Sequence, residues 1–434
     1  MKTSKRKIAF YTLGCKLNFA ETSSISRSFP DDEFEKVKPD AKADIYVINT
    51  CSVTDTADRK CRQAIKKFIN QSPDAVIAVV GCYSQLNPEE VSAIPGVDLV
   101  LGTNEKFDIS EYLKNREKRN IPEIHTFDTS DPERFYPSWS LGDRTRSFLK
   151  VQDGCDYRCS YCTIPAARGH SRNPDIRSLV GEAEKIAEKG IKEIVLTGVN
   201  IGDYGKSTGE TFLSLLKELI RVDGVERYRI SSIEPNLLTD ELINLAAESS
   251  KIVPHFHIPL QSGSDKVLGL MRRRYKRAKF EERVRKIKME IPLAGIGADV
   301  IVGFPGESDQ NFEETYSFIN EMPLSYFHVF NFSERPGTPA VKMNGKVIFS
   351  TREKRSRRLI SLSEKKHLEF CRLNTGELCD VLFEHARHEG MITGFTGNYI
   401  RTEYPWNSGI ADKVIRVKLT GISVSGRMNV ELVN

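Results

Sequence analysis

The 434-residue chain predicts an α/β protein in three parts: an N-terminal doubly wound parallel-sheet domain, a central partial (β/α)6 barrel and a small C-terminal antiparallel β-barrel. Three observations lead there. Apolar runs alternate with helix-like segments across residues 7–105, and a second such series spans 147–340. After about residue 372 the pattern changes to short alternating runs with glycine turns.

In the first part "KIAFYTLGC" (7–15), "ADIYVINTC" (43–51), "AVIAVVGC" (75–82) and "VDLVLGTNE" (97–105) read as buried parallel strands, with "DRKCRQAIKKFIN" (58–70) as an intervening helix. A polar, proline-containing stretch then reads as a linker, so the expected divisions are 1–120, 121–143, 144–371 and 372–434. The second series holds six strand candidates: "SFLKVQDG" (147–154), "EIVLTGVN" (193–200), "RYRISSIEP" (227–235), "HFHIPLQSG" (255–263), "GIGADVIVGFPGE" (295–307) and "YFHVFNFSERPGTPA" (326–340). Among its helices, 178–190 takes Ser178 as N-cap and Gly190 as stop. The last part, from "ELCDVLFEHA" to "RMNVELV", fits a closed antiparallel barrel of a kind that often touches RNA.

Composition narrows the class. With 39% apolar and 28% charged residues and no apolar run long enough to span a bilayer, the chain reads as soluble, with no membrane partner. The basic start runs into a Gly-Cys turn after a short apolar stretch, which argues against a signal peptide. Nine clustered cysteines are too few for a disulfide scaffold and point to metal or redox chemistry in the reducing cytoplasm. The net charge of +5 is uneven: residues 271–290 hold ten Lys/Arg against three Glu, and 352–367 hold seven against two. Such density favours a polyanionic partner, although a solvated helix face has the same composition. The C-terminal barrel is balanced, with seven Lys/Arg against seven Asp/Glu from Arg372 onward.

Cys155, Cys159 and Cys162 stand in "GCDYRCSYCTIPAARG" (154–169), directly after the first strand of the second series. That is a loop at the carboxyl end of a barrel, where such folds keep their active sites. A closed structural metal site wants four ligands, whereas three thiolates on a four-iron cluster leave one iron open for chemistry. The competing reading completes a zinc site with His170. A second triad is spread out: Cys15, Cys51 and Cys82 each close an apolar run. Strand ends of a parallel sheet share an edge, so three loops would gather these thiols as ligands of a second cluster. Cys61, Cys371 and Cys379 read as small buried hydrophobes.

"CDYRCSYC" resembles the signature of the radical S-adenosylmethionine (SAM) enzymes, in which three cysteines hold a 4Fe-4S cluster and SAM chelates the free iron. The resemblance implies reductive cleavage of SAM to a 5′-deoxyadenosyl radical. It also implies SAM contacts: Tyr161 near the adenine, Gly198 and Asn200 in "LTGVN" at the amino group, and Glu234, Gln261 and Gly303 at later strand ends. The two triads in order, followed by a small barrel, resemble the methylthiotransferase family, whose last domain is the TRAM barrel. "TLGCKLNFAET" (12–22), "INTCSVT" (48–54) and "VVGCYSQ" (79–85) are most similar to the branch acting on N6-threonylcarbamoyladenosine at tRNA position 37. The implied reaction inserts a methylthio group at C2 of that base, with two SAM molecules and two 4Fe-4S clusters. The implied partners are the tRNA anticodon loop and an electron donor such as a flavodoxin or ferredoxin. Other branches act on isopentenyladenosine 37 or on a ribosomal-protein aspartate. Two rival readings are a radical SAM enzyme whose N-terminal cluster only relays electrons, and a non-catalytic RNA-binding protein with structural zinc.

Overall fold

The computed structural model of the chain describes residues 5–433 apart from 115, 119–120, 130–133 and 143–144. Its N-terminal part is one parallel sheet of six strands, ordered Phe34–Val37, Arg6–Thr12, Ile45–Thr50, Val76–Gly81, Leu99–Leu101 and Glu123–His125. Every residue of Ile45–Thr50 and Val76–Gly81 is buried, which is why both read as unbroken apolar runs. The helix Asp55–Gln71 between them is capped by Thr54, whose side chain accepts from the Ala57 N–H. The two outer strands are largely exposed and carry no apolar run, so periodicity missed them.

The outermost of these, Glu123–His125, corrects part of the expected linker. It pairs with Leu99–Leu101 and satisfies an otherwise open sheet edge. Farther along the same stretch, Ser138–Trp139 pairs antiparallel with the first barrel strand, while 130–133 and 143 lie outside the described residues.

The six expected barrel strands are all present as Arg146–Lys150, Glu193–Thr197, Arg227–Ile230, His255–His257, Gly295–Val302 and Tyr326–Asn331. They pair in parallel in chain order, with single bridges such as Ser232 to His257 joining the third to the fourth. A helix follows each strand, giving the partial (β/α)6 barrel. The helix Ile176–Glu188 starts earlier than expected, because Asp175 rather than Ser178 is its N-cap: the Asp175 carboxylate accepts from the Ser178 N–H at 2.7 Å. Gly190 does stop it, at φ 76°. Among the described residues no helix is long and apolar enough to cross a membrane.

Residues Leu378–Leu432 close into a five-stranded barrel. One pair departs from the antiparallel expectation: Arg401–Pro405 and Met428–Leu432 run parallel, which completes the closure. The small barrel docks through the loop around Asn398 against the foot of the large one, where Arg229 donates to the carbonyls of Gly397 and Thr396. A Cβ at Gly295 would lie 2.0 Å from the Asn398 carbonyl oxygen, so only glycine permits this approach. Gly295→Ala should therefore destabilise the folded protein by about 1–3 kcal/mol, read as a lowered denaturation midpoint with the small barrel's signals lost first.

Candidate active site

The strands Arg6–Thr12, Ile45–Thr50 and Val76–Gly81 deliver Cys15, Cys51 and Cys82 to one sheet edge, at the switch between the first two strands where doubly wound sheets bind ligands. Two glycines make room. Gly14 has φ 109°, and a Cβ there would stand 2.6 Å from the Cys51 Cβ; Gly81 has φ 102° immediately before Cys82. Burial pushes the Cys51 thiol up to about 12, with the neighbouring Cys15 and Cys82 adding to the effect.

The loop after Arg146–Lys150 carries the second triad. Gly154, at φ 69°, lets the chain pass so close that a Cβ would sit 1.8 Å from the His170 carbonyl oxygen. Burial pushes Cys155 up to about 12 and Cys162 up to about 11. Arg273 donates to the Cys159 sulfur at 3.2 Å while its other nitrogen holds Glu234. His170, the alternative zinc ligand, turns instead to Asp156 at 3.0 Å.

The two triads adjoin. Thr163, next to Cys162, donates to the carbonyl of Ser52, next to Cys51, at 3.4 Å. Beneath them lies a buried lattice of charge. Glu21 binds Lys106 at 2.5 Å, Lys150 at 3.0 Å and Arg168 at 2.9 Å; Asp153 binds Lys150 at 2.7 Å, Arg168 at 2.9 Å and Arg172 at 3.4 Å. Desolvation pushes both carboxyls up, but their cations overcome it and hold them well below the usual carboxylate range. Two carboxylates against four cations leave positive charge over. Cys82 feels it: burial raises its thiol, and Arg168 and Lys106 pull it back.

The Radical SAM superfamily model matches residues 149–319, and that of the uncharacterized protein family UPF0004 matches 7–102. Threonylcarbamoyladenosine tRNA methylthiotransferase MtaB of Bacillus subtilis is 42% identical over 95% of this chain and 93% of its own. The protein of the same name from Aquifex aeolicus is 41% identical over 88% and 94%. The chain belongs to the radical SAM methylthiotransferase family. A tRNA-2-methylthio-N(6)-dimethylallyladenosine synthase of Syntrophus aciditrophicus is 32% identical over 88% and 85%. The radical SAM methyltransferase TsrM of Kitasatospora setae shares the fold at a TM-score of 0.55, with 14% identity over 78% and 77%.

A radical SAM methylthiotransferase uses SAM and a 4Fe-4S cluster, and the thiol loop suits a cluster. It offers three soft donors, a glycine-permitted close approach at Gly154 and an arginine N–H aimed at one sulfur. The residues expected at SAM are placed unevenly. Gly198 lines a central cavity together with Cys15. The backbone N–H of Asn200 and that of Val199 both donate to the buried Gln152 side chain, at 2.9 and 3.0 Å, which ties this strand end to the thiol loop. The Asn200 amide itself is taken by Asp203 at 2.8 Å. Glu234 is engaged by Arg273, and Tyr161 packs edge-on to Phe304 at 6.2 Å. Gln261, at φ 64°, and Gly303, at φ 75°, turn at the ends of later strands.

The basic stretches are less free than their composition suggests. Arg273 serves Cys159, Arg283 binds Asp240 at 2.5 Å, Arg355 binds Asp309 at 2.8 Å, and Lys366 donates to two carbonyls. Sequence reasoning also missed the lattice and Gln152. The available signal was Lys150 inside an apolar strand and Asp153 just before the thiols, since charge in a buried run must find a partner.

Removing Arg168 takes a buried cation from both Glu21 and Asp153. Arg168→Met should cost about 3–5 kcal/mol in chemical denaturation, well beyond a surface change. The raised thiols give a second expectation. Cys51, Cys155 and Cys162 stay protonated at pH 8, so iodoacetamide should label exposed Cys15 of the cluster-free protein first. Labelling of the other three should rise only as pH climbs towards 11–12.

Proposed function

We propose that this enzyme inserts a methylthio group at C2 of N6-threonylcarbamoyladenosine 37 in tRNA, using two SAM molecules and two 4Fe-4S clusters. One cluster would sit on Cys155, Cys159 and Cys162 and the other on Cys15, Cys51 and Cys82, with the chain divided at 1–120, 121–143, 144–371 and 372–434. The observation that carries this reading is the contact between the two triads through Thr163 and Ser52, since sulfur on one cluster has to reach a carbon activated beside the other. The relatives named for threonylcarbamoyladenosine, at 42% and 41% identity against 32% for the dimethylallyl relative, favour the substrate branch.

When bound, SAM and the clusters supply hydrogen abstraction from an unactivated C–H and the sulfur that replaces it. The chain's own residues bind and orient. Arg273 would stabilise the Cys159 thiolate, and Glu234 would hold Arg273 in place. Tyr161, Gly198, Asn200, Gln261 and Gly303 would shape the SAM site; Glu234 contributes there through Arg273. The surplus positive charge beside Cys82 would favour the anionic thiolates of the N-terminal cluster. A splayed anticodon-loop base would enter the central cavity. A flavodoxin or ferredoxin would supply electrons in the cytoplasm.

The test is nucleoside mass spectrometry on tRNAs carrying threonylcarbamoyladenosine or isopentenyladenosine, with SAM and a reductant. The wild-type protein should convert the first and ignore the second. Changing either cysteine triad to alanine should leave about four irons per chain. Loss of Cys155, Cys159 and Cys162 should abolish SAM cleavage, whereas loss of Cys15, Cys51 and Cys82 should keep cleavage and stop methylthio product. Normal product from the N-terminal variant would refute the sulfur-carrying role.

A further inference from the structure

A cavity of about 640 Å³ runs down the inside of the large barrel from Cys15 and Gly198 at the top to Arg146, Arg229 and Tyr399 at the foot. Arg146 opens its strand and stands level with Glu193, whereas Thr197, just before Gly198, stands level with Lys150. The two ends are therefore four residues apart, or about 13 Å of strand.

The foot is cationic, and one cation there is left over. Glu193 is fully buried between three arginines: it accepts from Arg229 Nε at 2.9 Å and binds Arg227 at 2.7 Å. Arg146 comes no closer to it than 3.7 Å. Among the described residues the Arg146 guanidinium makes no hydrogen bond; it is held by ring faces, 4.7 Å from Phe395 and 5.9 Å from Tyr399. Lys16, which follows Cys15 and also lines the cavity, makes no ion pair among the described residues. Arg146 and Arg229 are the strongest charges acting on it, and the carboxylate that opposes them, Asp299, is already paired with His257 at 3.0 Å. Such a group of unmatched donors costs free energy unless an anion completes it.

We infer that this cavity foot is the subsite for a carboxylate on the substrate base, with Arg146 as the fork and Lys16 as the second cation. The inference rests on the proposed substrate and deepens it. In an N6-substituted adenine, C2 and the N6 group leave the ring on diverging edges. With C2 held at the cavity top near Cys15, the substituent runs down the barrel towards Arg146. A threonylcarbamoyl group ends in a carboxylate and meets these donors, whereas an isopentenyl group would bury them unpaired, so the same residues select and reject. His255, tilted against Tyr399 at 4.5 Å and bonded to the Tyr326 hydroxyl at 2.8 Å with the two rings nearly parallel, forms a wall along this path.

SAM also carries a carboxylate, so the test separates the two sources. Anticodon stem-loops with threonylcarbamoyladenosine as the free acid or as its methyl ester are compared on the iron-loaded enzyme. The wild type should prefer the acid. Arg146→Met should raise KM for the acid roughly tenfold or more, leave KM for the ester alone and leave KM for SAM within about twofold. Arg146→Lys should restore part of the preference, and Lys16→Met should show the same pattern more weakly, with iron content and circular dichroism reporting folding. A rise in KM for SAM would assign the site to SAM and overturn the inference. An equal rise for acid and ester, or none, would also overturn it. Wild-type enzyme that modifies only isopentenyl stem-loops would instead refute the substrate reading on which it rests.

Discussion

Glu21 and Asp153 bring together residues that the chain separates widely: Lys106 from the N-terminal part, Lys150 from the first barrel strand, and Arg168 and Arg172 from just beyond the thiols. Burying six charged groups is tolerable only when all their partners are in place, because each one left alone bears its full desolvation cost. The lattice therefore forms as a unit or not at all. Its geometry sets how the N-terminal sheet edge meets the barrel mouth, and so how far one thiol triad stands from the other. Arg335, binding Asp58 at 2.7 Å and Ser52 at 2.7 Å, fastens the same joint from its far side.

That joint also distributes charge. The lattice leaves positive charge beside Cys82, and the barrel foot leaves more at Arg146 and Lys16. Between them runs a cavity of about 640 Å³ lined by aromatic side chains. A radical SAM enzyme that gathers thiolates, a cationic sulfonium cosubstrate and a tRNA needs such separated fields, since in a poorly solvated interior each charge is felt over several ångströms. The small barrel takes part directly: Tyr399 reaches from it to the cavity foot, so the last 60 or so residues close the site as well as extending the surface.

Much of the architecture was legible in the sequence because the central strands are covered on both faces and cannot hide their apolar runs. Four inner strands of the first sheet and the first five of the barrel could be read that way, while the sixth, Tyr326–Asn331, shows an apolar run although half of its residues are exposed. The outer strands Phe34–Val37 and Glu123–His125 could not, since an exposed edge strand has no obligatory pattern. The start of the helix at Ile176 was misjudged for a local reason: Asp175 and Ser178 are both good caps, and only backbone geometry chooses between them.

The sequence by itself determined where the candidate ligands stand: Cys15, Cys51 and Cys82 just after three sheet strands, Cys155, Cys159 and Cys162 in the loop after the first barrel strand, and the order of the parts. These follow from local rules of strand termination and backbone freedom. Only the tertiary structure decided how those atoms are used. That Arg273 serves a sulfur rather than a phosphate, that Glu21 answers Arg168 147 residues away, and that Arg146 stands off at 3.7 Å while Arg227 and Arg229 bind Glu193 closely all depend on long-range packing. A charged residue reads the same in sequence whether it faces water or a buried partner, and packing alone removes the water.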